Sequence, residues 1–346
     1  MTYSQILSAA IIGAGNIAGG YDSKKYIHDN GIYTHAGAFK TLGNIRLKSV
    51  LDKNFHVAKA FTRKWGGVAI LSLDTILKQY HDIISVCTPD ATHYEIVKAL
   101  LLNQCCKTIC IEKPATKKPQ QMIELMMLAK KNRVHIVVNF QRHFDKSHVK
   151  LAHSLKRELH SNILSVQALY MKGLDHNGVT MIDTLRFLIG NPKAVLALRR
   201  VFNHQIKDYS YDFVLYYPQF IVTIRTSDSE HGFYNYHIFE IDILLNDRRI
   251  SIVDNSRLVR EFPLCNLGYS GVKGLNDAKP KLTPTQYCTS MKYVADYLFR
   301  ITTGLQKHNQ NTLNSSFQTM QIIGAVKKSY KSGLKKIRLT ELYEKS

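Results

Sequence analysis

A chain of 346 residues with 45% hydrophobic and 21% charged residues is long enough for a well-buried core and for two domains, which excludes a disordered protein. Its formal net charge of +21 admits an anionic partner or substrate. The basic residues fall in scattered pairs such as Lys117-Lys118, Arg199-Arg200 and Lys335-Lys336, with no long polybasic arm and no nucleic-acid-binding module.

No segment approaches the roughly 20 apolar residues of a membrane span, and no basic residue precedes the apolar run near the amino terminus, so no secretory signal is expected. The six cysteines lack metal-type or disulfide-framework spacing. The expectation is a cytoplasmic protein with reduced thiols, no metal, no nucleic-acid partner and no membrane partner.

Residues 8–12 read as an apolar strand running into Gly13-Ala14-Gly15-Asn16-Ile17-Ala18, a dinucleotide fingerprint with alanine at its third position. Gly13 permits the tight turn, Gly15 lets the backbone approach a pyrophosphate, and Ala18 keeps helix and sheet close. Asn16 and Ile17 stand with them as candidate cofactor contacts. The next strand, 46–51, ends in Asp52, whose carboxylate can accept both ribose hydroxyls and repels a 2′-phosphate. This favours NAD; Lys53 beside it leaves NADP open. The interval from Gly15 to Asp52 exceeds the usual spacing of about 20 residues. An insertion over residues 21–35 accounts for the excess, and a helical pattern resumes at 36–42.

Strands and helices then alternate. Helices are expected at 55–64, 72–79, 92–103 and 117–131, and strands at 82–88, 107–111 and 133–138, the last ending at Asn139. The alternation predicts right-handed crossovers and a doubly wound parallel sheet over residues 1–142. Thr88 and Pro89 close the strand 82–88, and His93 sits in the first turn of the helix after it. Met122, Met126 and Met127 read as core packing. The strand 107–111 runs into Glu112-Lys113-Pro114, at the carboxyl end where open α/β sheets bind ligands. Pro114 restricts Lys113 to an extended backbone, which positions an amine for proton transfer; a salt bridge to Glu112 is the plainer alternative.

Past Arg142 the pattern changes, and residues 143–346 read as an α+β domain with an open, largely antiparallel sheet. A helix at 148–160, a strand at 163–171 and a helix at 177–189 come first. Residues 194–262 alternate in short runs rich in Val, Ile, Tyr and Phe, with turn signals at Tyr217-Pro218, Ser227-Asp228, Asn246-Asp247 and Asp254-Asn255. Helices at 285–302 and 313–332 follow. Arg142 either meets a substrate phosphate or carboxylate bidentately or forms a surface salt bridge. Tyr170 and Lys172, on one face of a strand, either line a pocket or cover the sheet.

In this order, Gly13-Ala14-Gly15-Asn16-Ile17, Cys87-Thr88-Pro89 with His93, Glu112-Lys113-Pro114, Asn139-Phe140-Gln141-Arg142, and Gly178 through Asp183 followed by 185–190 carry a resemblance. The sequence resembles the Gfo/Idh/MocA oxidoreductases, the group of glucose-fructose oxidoreductase and inositol dehydrogenase, over nearly its whole length. The resemblance implies an N-terminal Rossmann domain (1–142) and a C-terminal domain (143–346) for substrate binding and for oligomerisation through its open sheet, as a homodimer or tetramer. It also implies a tightly held nicotinamide cofactor, sugar or polyol substrates, and cofactor contacts from Thr88, Pro89, His93, Glu112 and Lys113. Thr34-His35-Ala36, Tyr170-Met171-Lys172-Gly173 and His176-Asn177-Gly178 are similar to members of surface-polysaccharide and sugar-nucleotide biosynthesis. That narrower likeness implies a nucleotide-linked sugar whose C3 hydroxyl is oxidised to a ketone.

The family sets the reacting hydroxyl against the lysine of Glu-Lys-Pro, here Lys113, with a second-domain histidine as acid/base partner. Aligned on Gly178 and Asp183, that histidine's position holds Thr180, which cannot act as a base near neutral pH. His176, Thr180 and Asp183 share one helix face if the helix reaches back to His176; if Asn177 is the N-cap, His176 lies on the entering loop. His176 is therefore the candidate acid/base residue, and Arg142, Tyr170, Lys172, Thr180 and Asp183 are candidate substrate contacts. Two functions stand: an NAD-dependent sugar or sugar-nucleotide dehydrogenase, or a catalytically weak sensor or accessory protein that binds cofactor and sugar nucleotide.

Overall fold

The computed structural model describes residues 5–22, 31–158, 162–228, 238–267, 271–276 and 279–339. Parts of the expected insertion and the ends of several expected elements, such as residues 23–30 and 159–160, lie outside the described residues. The chain forms two compact units, Met1–Phe144 with Cys288–Phe317 and Asp145–Tyr287 with Gln318–Ser346.

The first unit is built on six parallel strands: β1 (Leu7–Ile12), β2 (Ile45–Leu51), β3 (Val68–Ile70), β4 (His81–Val86), β5 (Cys106–Ile111) and β6 (His135–Val138), in the order β3-β2-β1-β4-β5-β6. This is a doubly wound Rossmann sheet, whose order reverses between β1 and β4. Ala9, Ala10 and Ile11 of β1 and Thr108, Ile109, Cys110 and Ile111 of β5 are fully buried, as strands covered on both faces must be. Each such isoleucine contributes about 1.5–3 kcal/mol by leaving water. Around the sheet lie α1 (His35–Leu42), α2 (Phe55–Trp65), α3 (Leu73–Leu77), α4 (His93–Asn103) and α5 (Pro119–Asn132).

Local chemistry sets these boundaries. The Thr34 hydroxyl accepts from Gly37 N at the start of α1, Asn54 caps α2, and Pro119 opens α5 where its missing N–H costs nothing. β3 is too short at three residues to have shown as a strand in the sequence. Met122 is buried as expected, whereas Met127 is 62% exposed and packs no core. The helix Ser290–Thr302 belongs to this unit although it lies late in the chain. Its Met291, Val294, Ala295 and Leu298 join the cluster of Leu7, Ile11 and Phe39, and Thr302 Oγ1 donates to Thr108 Oγ1 at 2.8 Å. That helix begins five residues later than 285, with a 3-10 turn, Tyr287–Thr289, directly before it.

Among the described residues the second unit carries ten strands: β7 (Ile163–Tyr170), β8 (Ala194–Asn203), β9 (Asp208–Tyr216), β10 (Ile221–Thr226), β11 (Phe239–Leu245), β12 (Arg248–Val253), β13 (Leu258–Asn266), β14 (Lys273–Leu275), β15 (Lys281–Pro284) and β16 (Ile337–Arg338). All pairings among the described residues are antiparallel except β7 with β10. Helices α6 (Lys146–Glu158) and α7 (Val179–Ile189) and the helix Leu313–Lys331 accompany it. The central strands alternate: Val166 and Ala168, Val222 and Ile224, Ile241 and Ile243 are buried, while Ile221 and Leu244 on the other face stay exposed. The sheet is thus open on one side.

Candidate active site

The glycine loop follows β1. Gly13 has φ +91°, and a Cβ there would lie 2.8 Å from the Cys87 carbonyl carbon and the Thr88 nitrogen, so only glycine fits between the ends of β1 and β4. Gly15 is extended and exposed, and a Cβ there would meet no protein atom within 4 Å. The protein's own packing does not demand glycine at 15; an incoming group that uses the backbone N–H does. Asn16 is exposed and Ile17 half-buried on a single π-helical turn, Asn16–Gly20, and Ala18 is fully buried. Asp52 braces the loop, its carboxylate accepting Ala14 N at 2.8 Å and Asn54 N at 2.9 Å. Each of its oxygens keeps a further lone pair for a ribose hydroxyl. These residues fit a dinucleotide.

At the end of β4, Thr88 is half-buried and Pro89 exposed. His93 is buried, with Nε2 2.8 Å from the Thr88 carbonyl oxygen and Nδ1 2.9 Å from that of Pro114. It therefore cross-links the two strand ends.

Beyond β5, Glu112 is buried and Lys113 half-buried, and the Lys113–Pro114 peptide is cis. Glu112 Oε1 lies 2.9 Å from His35 Nε2 and accepts from Asn139 Nδ2 at 2.6 Å. Burial pushes the Glu112 carboxyl up, but the hydrogen bond and charge of His35, with Asn139 and Lys113, outweigh it and hold its pKa below the usual carboxylate range. Lys113 moves the other way from an ordinary lysine. Burial lowers its pKa most, Glu112 and Asp90 pull it up, and Arg142 pushes it down. Arg142 is 4% exposed, which removes the surface salt bridge as its role. The lowered amine is what a lysine needs in order to take a proton near neutral pH.

In the second unit, helical backbone does reach back past His176, but as a wider π-turn, Gly173–Gly178, running into α7. Two carboxylates hold it. Asp228, 2% exposed, accepts from Lys172 N at 2.9 Å and Gly173 N at 3.2 Å, and from the Ser210 hydroxyl. Asp208 accepts from Asp175 N at 2.8 Å and His176 N at 3.3 Å. Along this segment His176 is exposed, Thr180 half-buried and Asp183 buried, so they do not share one open face.

Burial and geometry give three candidate contacts partners or placements within the protein itself. Tyr170 is fully buried, and its hydroxyl both donates to the Tyr211 carbonyl at 3.0 Å and accepts Tyr211 N at 2.8 Å. It fastens β7 to β9. Lys172 does not share a strand face with it, since β7 ends at Tyr170 and Lys172 turns through φ +67°. Asp183, 1% exposed, accepts from Thr319 at 3.5 Å and lies 3.9 Å from Arg186, whose guanidinium also donates to Thr319 and Asn191. Asp183 ties α7 to the helix Leu313–Lys331. Sequence reasoning missed His35, Asp208, Asp228 and Arg186 as parts of these networks, because their partners lie far along the chain. A cavity of about 510 Å³ lined by Lys48, Tyr80 and His81 among others contains none of the motif residues.

A doubly wound sheet with its glycine loop, acidic strand end and strand-end lysine defines an NAD-binding Rossmann domain. Residues 7–140 match the model of the Gfo/Idh/MocA proteins, described as "Oxidoreductase family, NAD-binding Rossmann fold". D-glucoside 3-dehydrogenase of Escherichia coli (strain K12) is 29% identical over 143 residues, covering 41% of this chain and 36% of that protein, so the match spans about a third of the relative's own length. Two solved structures share the fold across both units. One is the WlbA dehydrogenase from Chromobacterium violaceum in complex with NADH and UDP-GlcNAcA, with 15% identity, TM-score 0.75 and coverage of 98% of this chain and 97% of that one. The other is an oxidoreductase from Agrobacterium radiobacter in complex with NAD+, L-tartaric acid and magnesium, with 13% identity, TM-score 0.72 and coverage of 97% and 99%. Among the described residues no helix is long and apolar enough to cross a membrane.

Proposed function

We propose that the chain is an NAD(H)-dependent oxidoreductase that interconverts a secondary hydroxyl of a sugar or nucleotide-linked sugar, at C3 in the narrowest reading, and the corresponding ketone. The observation that carries this reading is Lys113, half-buried at the end of β5 with an amine shifted towards neutrality between Glu112 and Arg142. Bound nicotinamide supplies the hydride acceptor. The Lys113 amine takes the hydroxyl proton as the C–H electron pair leaves as hydride, and it returns that proton to solvent. Arg142 stabilises oxygen-centred negative charge or a substrate phosphate. Support for the substrate class comes from the D-glucoside 3-dehydrogenase likeness and from the UDP-sugar held by the WlbA dehydrogenase.

In this reading the first unit binds the dinucleotide. The open sheet face with Ile221 and Leu244 is the oligomer interface. Six free thiols suit a reducing, cytoplasmic setting. The purified protein should generate NADH absorbance with a panel of sugars and UDP- or TDP-sugars, and Lys113→Met should lower turnover by about 100-fold or more while NADH binding persists. Near-normal turnover in that variant would refute the role of Lys113.

A second reading has a specific observation behind it. The family's histidine position holds Thr180, and Asp183 is consumed in packing, so the second unit presents a weaker acid/base set than the motif implies. In that case the protein binds cofactor and sugar nucleotide without efficient turnover. Tight binding of a sugar nucleotide with no NADH signal would select it.

A further inference from the structure

The excess positive charge is not spread evenly. Residues 327–338, Lys-Lys-Ser-Tyr-Lys-Ser-Gly-Leu-Lys-Lys-Ile-Arg, hold five lysines, one arginine and no acidic residue. In the sequence they stand as separate pairs, but the fold gathers them. The helix Leu313–Lys331 ends in Lys328 and Lys331, the chain turns back, and β16 adds Arg338. Buried Ser329 pins the turn. Its hydroxyl donates to the Lys335 carbonyl at 2.6 Å and accepts Ala197 N of β8 at 2.9 Å, and Lys335 N donates to the Ser329 carbonyl at 3.3 Å. Among the described residues β16 pairs with β8 at one edge of the second sheet, where Leu339 N reaches the Lys193 carbonyl at 3.0 Å and brings a further lysine alongside. Lys193, Lys328, Lys331, Lys335, Lys336 and Arg338 are all exposed, and none has an ion pair among the described residues.

We propose that this face, the end of the helix Leu313–Lys331 together with β16, docks the protein peripherally on an anionic lipid surface. The expectation of no membrane partner rests on the lack of a spanning segment, which a peripheral contact does not need. The inference goes beyond the proposed oxidoreduction and does not depend on it.

Lysines at a helix carboxyl end offset the macrodipole, and basic residues on an edge strand resist pairing with another sheet. Either need is met by one or two cations, whereas these six exposed ones repel one another without a counter-charge. Two carboxylates of the same unit are already engaged, Asp175 with Lys327 at 2.6 Å and Asp212 with Arg199 at 2.8 Å. Two features select lipid over nucleic acid. Leu334 stands within the turn among the lysines, 45% exposed on left-handed backbone at φ +60°, a conformation leucine rarely adopts. It offers an apolar group to the acyl boundary below a headgroup layer. The rings along this face already carry cations of the protein's own. Lys336 Nζ lies 3.5 Å from the Tyr216 centroid, and the Arg200 guanidinium sits 4.2 Å from that of Tyr209 and 4.7 Å from that of Tyr330. Stacking of bases needs free rings.

The test needs no substrate. The full chain is mixed with vesicles of phosphatidylcholine and phosphatidylglycerol in equal parts, or of phosphatidylcholine alone, and the bound fraction is read by sedimentation at about 0.1 M salt. Binding to the mixed vesicles only, with release at about 0.5 M salt, is expected. Each cation near an anionic bilayer contributes about fivefold in partitioning, so Lys328→Gln, Lys331→Gln and Lys335→Gln together should weaken binding by about 100-fold. Leu334→Ser should weaken it severalfold. Lys40→Gln, Lys130→Gln and Lys131→Gln, exposed positions of the first unit, remove the same charge and should leave it within about twofold. No binding to the mixed vesicles, equal binding to phosphatidylcholine alone, binding that survives the higher salt, equal loss in the two triple variants, or an unaffected Leu334→Ser each overturns the proposal. Tighter binding of duplex DNA than of the mixed vesicles at the same salt, lost in the Lys328, Lys331 and Lys335 variant, assigns the face to nucleic acid and overturns it too. Should that variant fail to fold, salt release and Leu334→Ser carry the test on their own.

Discussion

The two glycines of the loop after β1 make opposite demands, and substituting each by alanine separates fold from binding. Gly13→Ala places a side chain on left-handed backbone at φ +91°, which costs an L-residue about 1–2 kcal/mol. Its Cβ would also stand 2.8 Å from Thr88 N and from the Cys87 carbonyl carbon, backbone atoms held by Cys87 N donating to Ile12 O at 2.8 Å. Relieving that overlap adds about 1–3 kcal/mol, for a total near 2–5 kcal/mol and a fall in Tm of about 5–15 °C at this size. Gly15→Ala meets no protein atom within 4 Å and needs no left-handed backbone, so its stability should be unchanged or higher by up to about 1 kcal/mol through the unfolded chain. Its methyl instead fills the approach of the pyrophosphate to the loop N–H groups. Loss of one charge-assisted hydrogen bond, about 1.5–3 kcal/mol, weakens NADH by about 10- to 100-fold. Thermal unfolding and isothermal titration calorimetry with NADH measure both quantities on the same samples. Unaltered NADH affinity in Gly15→Ala, or a Tm loss there matching that of Gly13→Ala, would refute this placement of the cofactor.

Asp52→Asn keeps an acceptor for one of the two backbone N–H groups but removes the charge that repels a 2′-phosphate, so the ratio of NADPH to NADH affinity should rise; an unchanged ratio in calorimetry contradicts the ribose role. On a substrate that the unmodified protein oxidises, His176→Ala should abolish turnover and Thr180→His should help little if His176 has taken over proton transfer. If the protein is a weak relative, Thr180→His should instead restore measurable oxidation, and unaltered rates in His176→Ala across neutral pH would remove that residue from the reaction. Glu112 and Asp145 both have folded pKa values below their unfolded ones, Asp145 because the His148 hydrogen bond and charge outweigh its burial. Their stabilisation is complete above the unfolded values of about 4.3 and 3.9 and is lost as pH falls through the lower folded values. Urea midpoints should drop increasingly steeply below about pH 4.3, less so in Glu112→Gln, and a flat profile there would contradict the assignment.

The Rossmann sheet was legible because β1 and β5 are buried almost throughout and read as apolar runs, and because signals such as the Thr34 cap and Pro119 mark helix starts. The second sheet was legible through alternation and turn residues; Asp254 and Asn255 do adopt left-handed backbone between β12 and β13. The parallel pairing of β7 with β10 was not legible, since register between strands some 50 residues apart is set by packing that no local window contains. The same holds for the helix Ser290–Thr302. Its apolar face is visible in the sequence, but its packing beside Phe39 and Thr108 in the first unit is not.

The site divides along the same line. Residues whose role comes from backbone position, such as Gly13, Gly15, Asp52 and Lys113, stand where a strand ends, and a strand end can be read from pattern. Residues whose role comes from a partner could not be read. Tyr170 and Asp183 carry the same functional groups whether they meet a ligand or the protein itself, and the partners they have in the fold, Tyr211 in one case and Thr319 with Arg186 in the other, are not visible in the local sequence. Asp208 and Asp228 show the converse. Neither sits in a recognisable motif, yet together they satisfy the backbone N–H groups at 172, 173, 175 and 176 that a π-turn leaves open at its start. The backbone at His176 is therefore held by a carboxylate 32 positions further along the chain, and a substitution at Asp208 should disturb this turn.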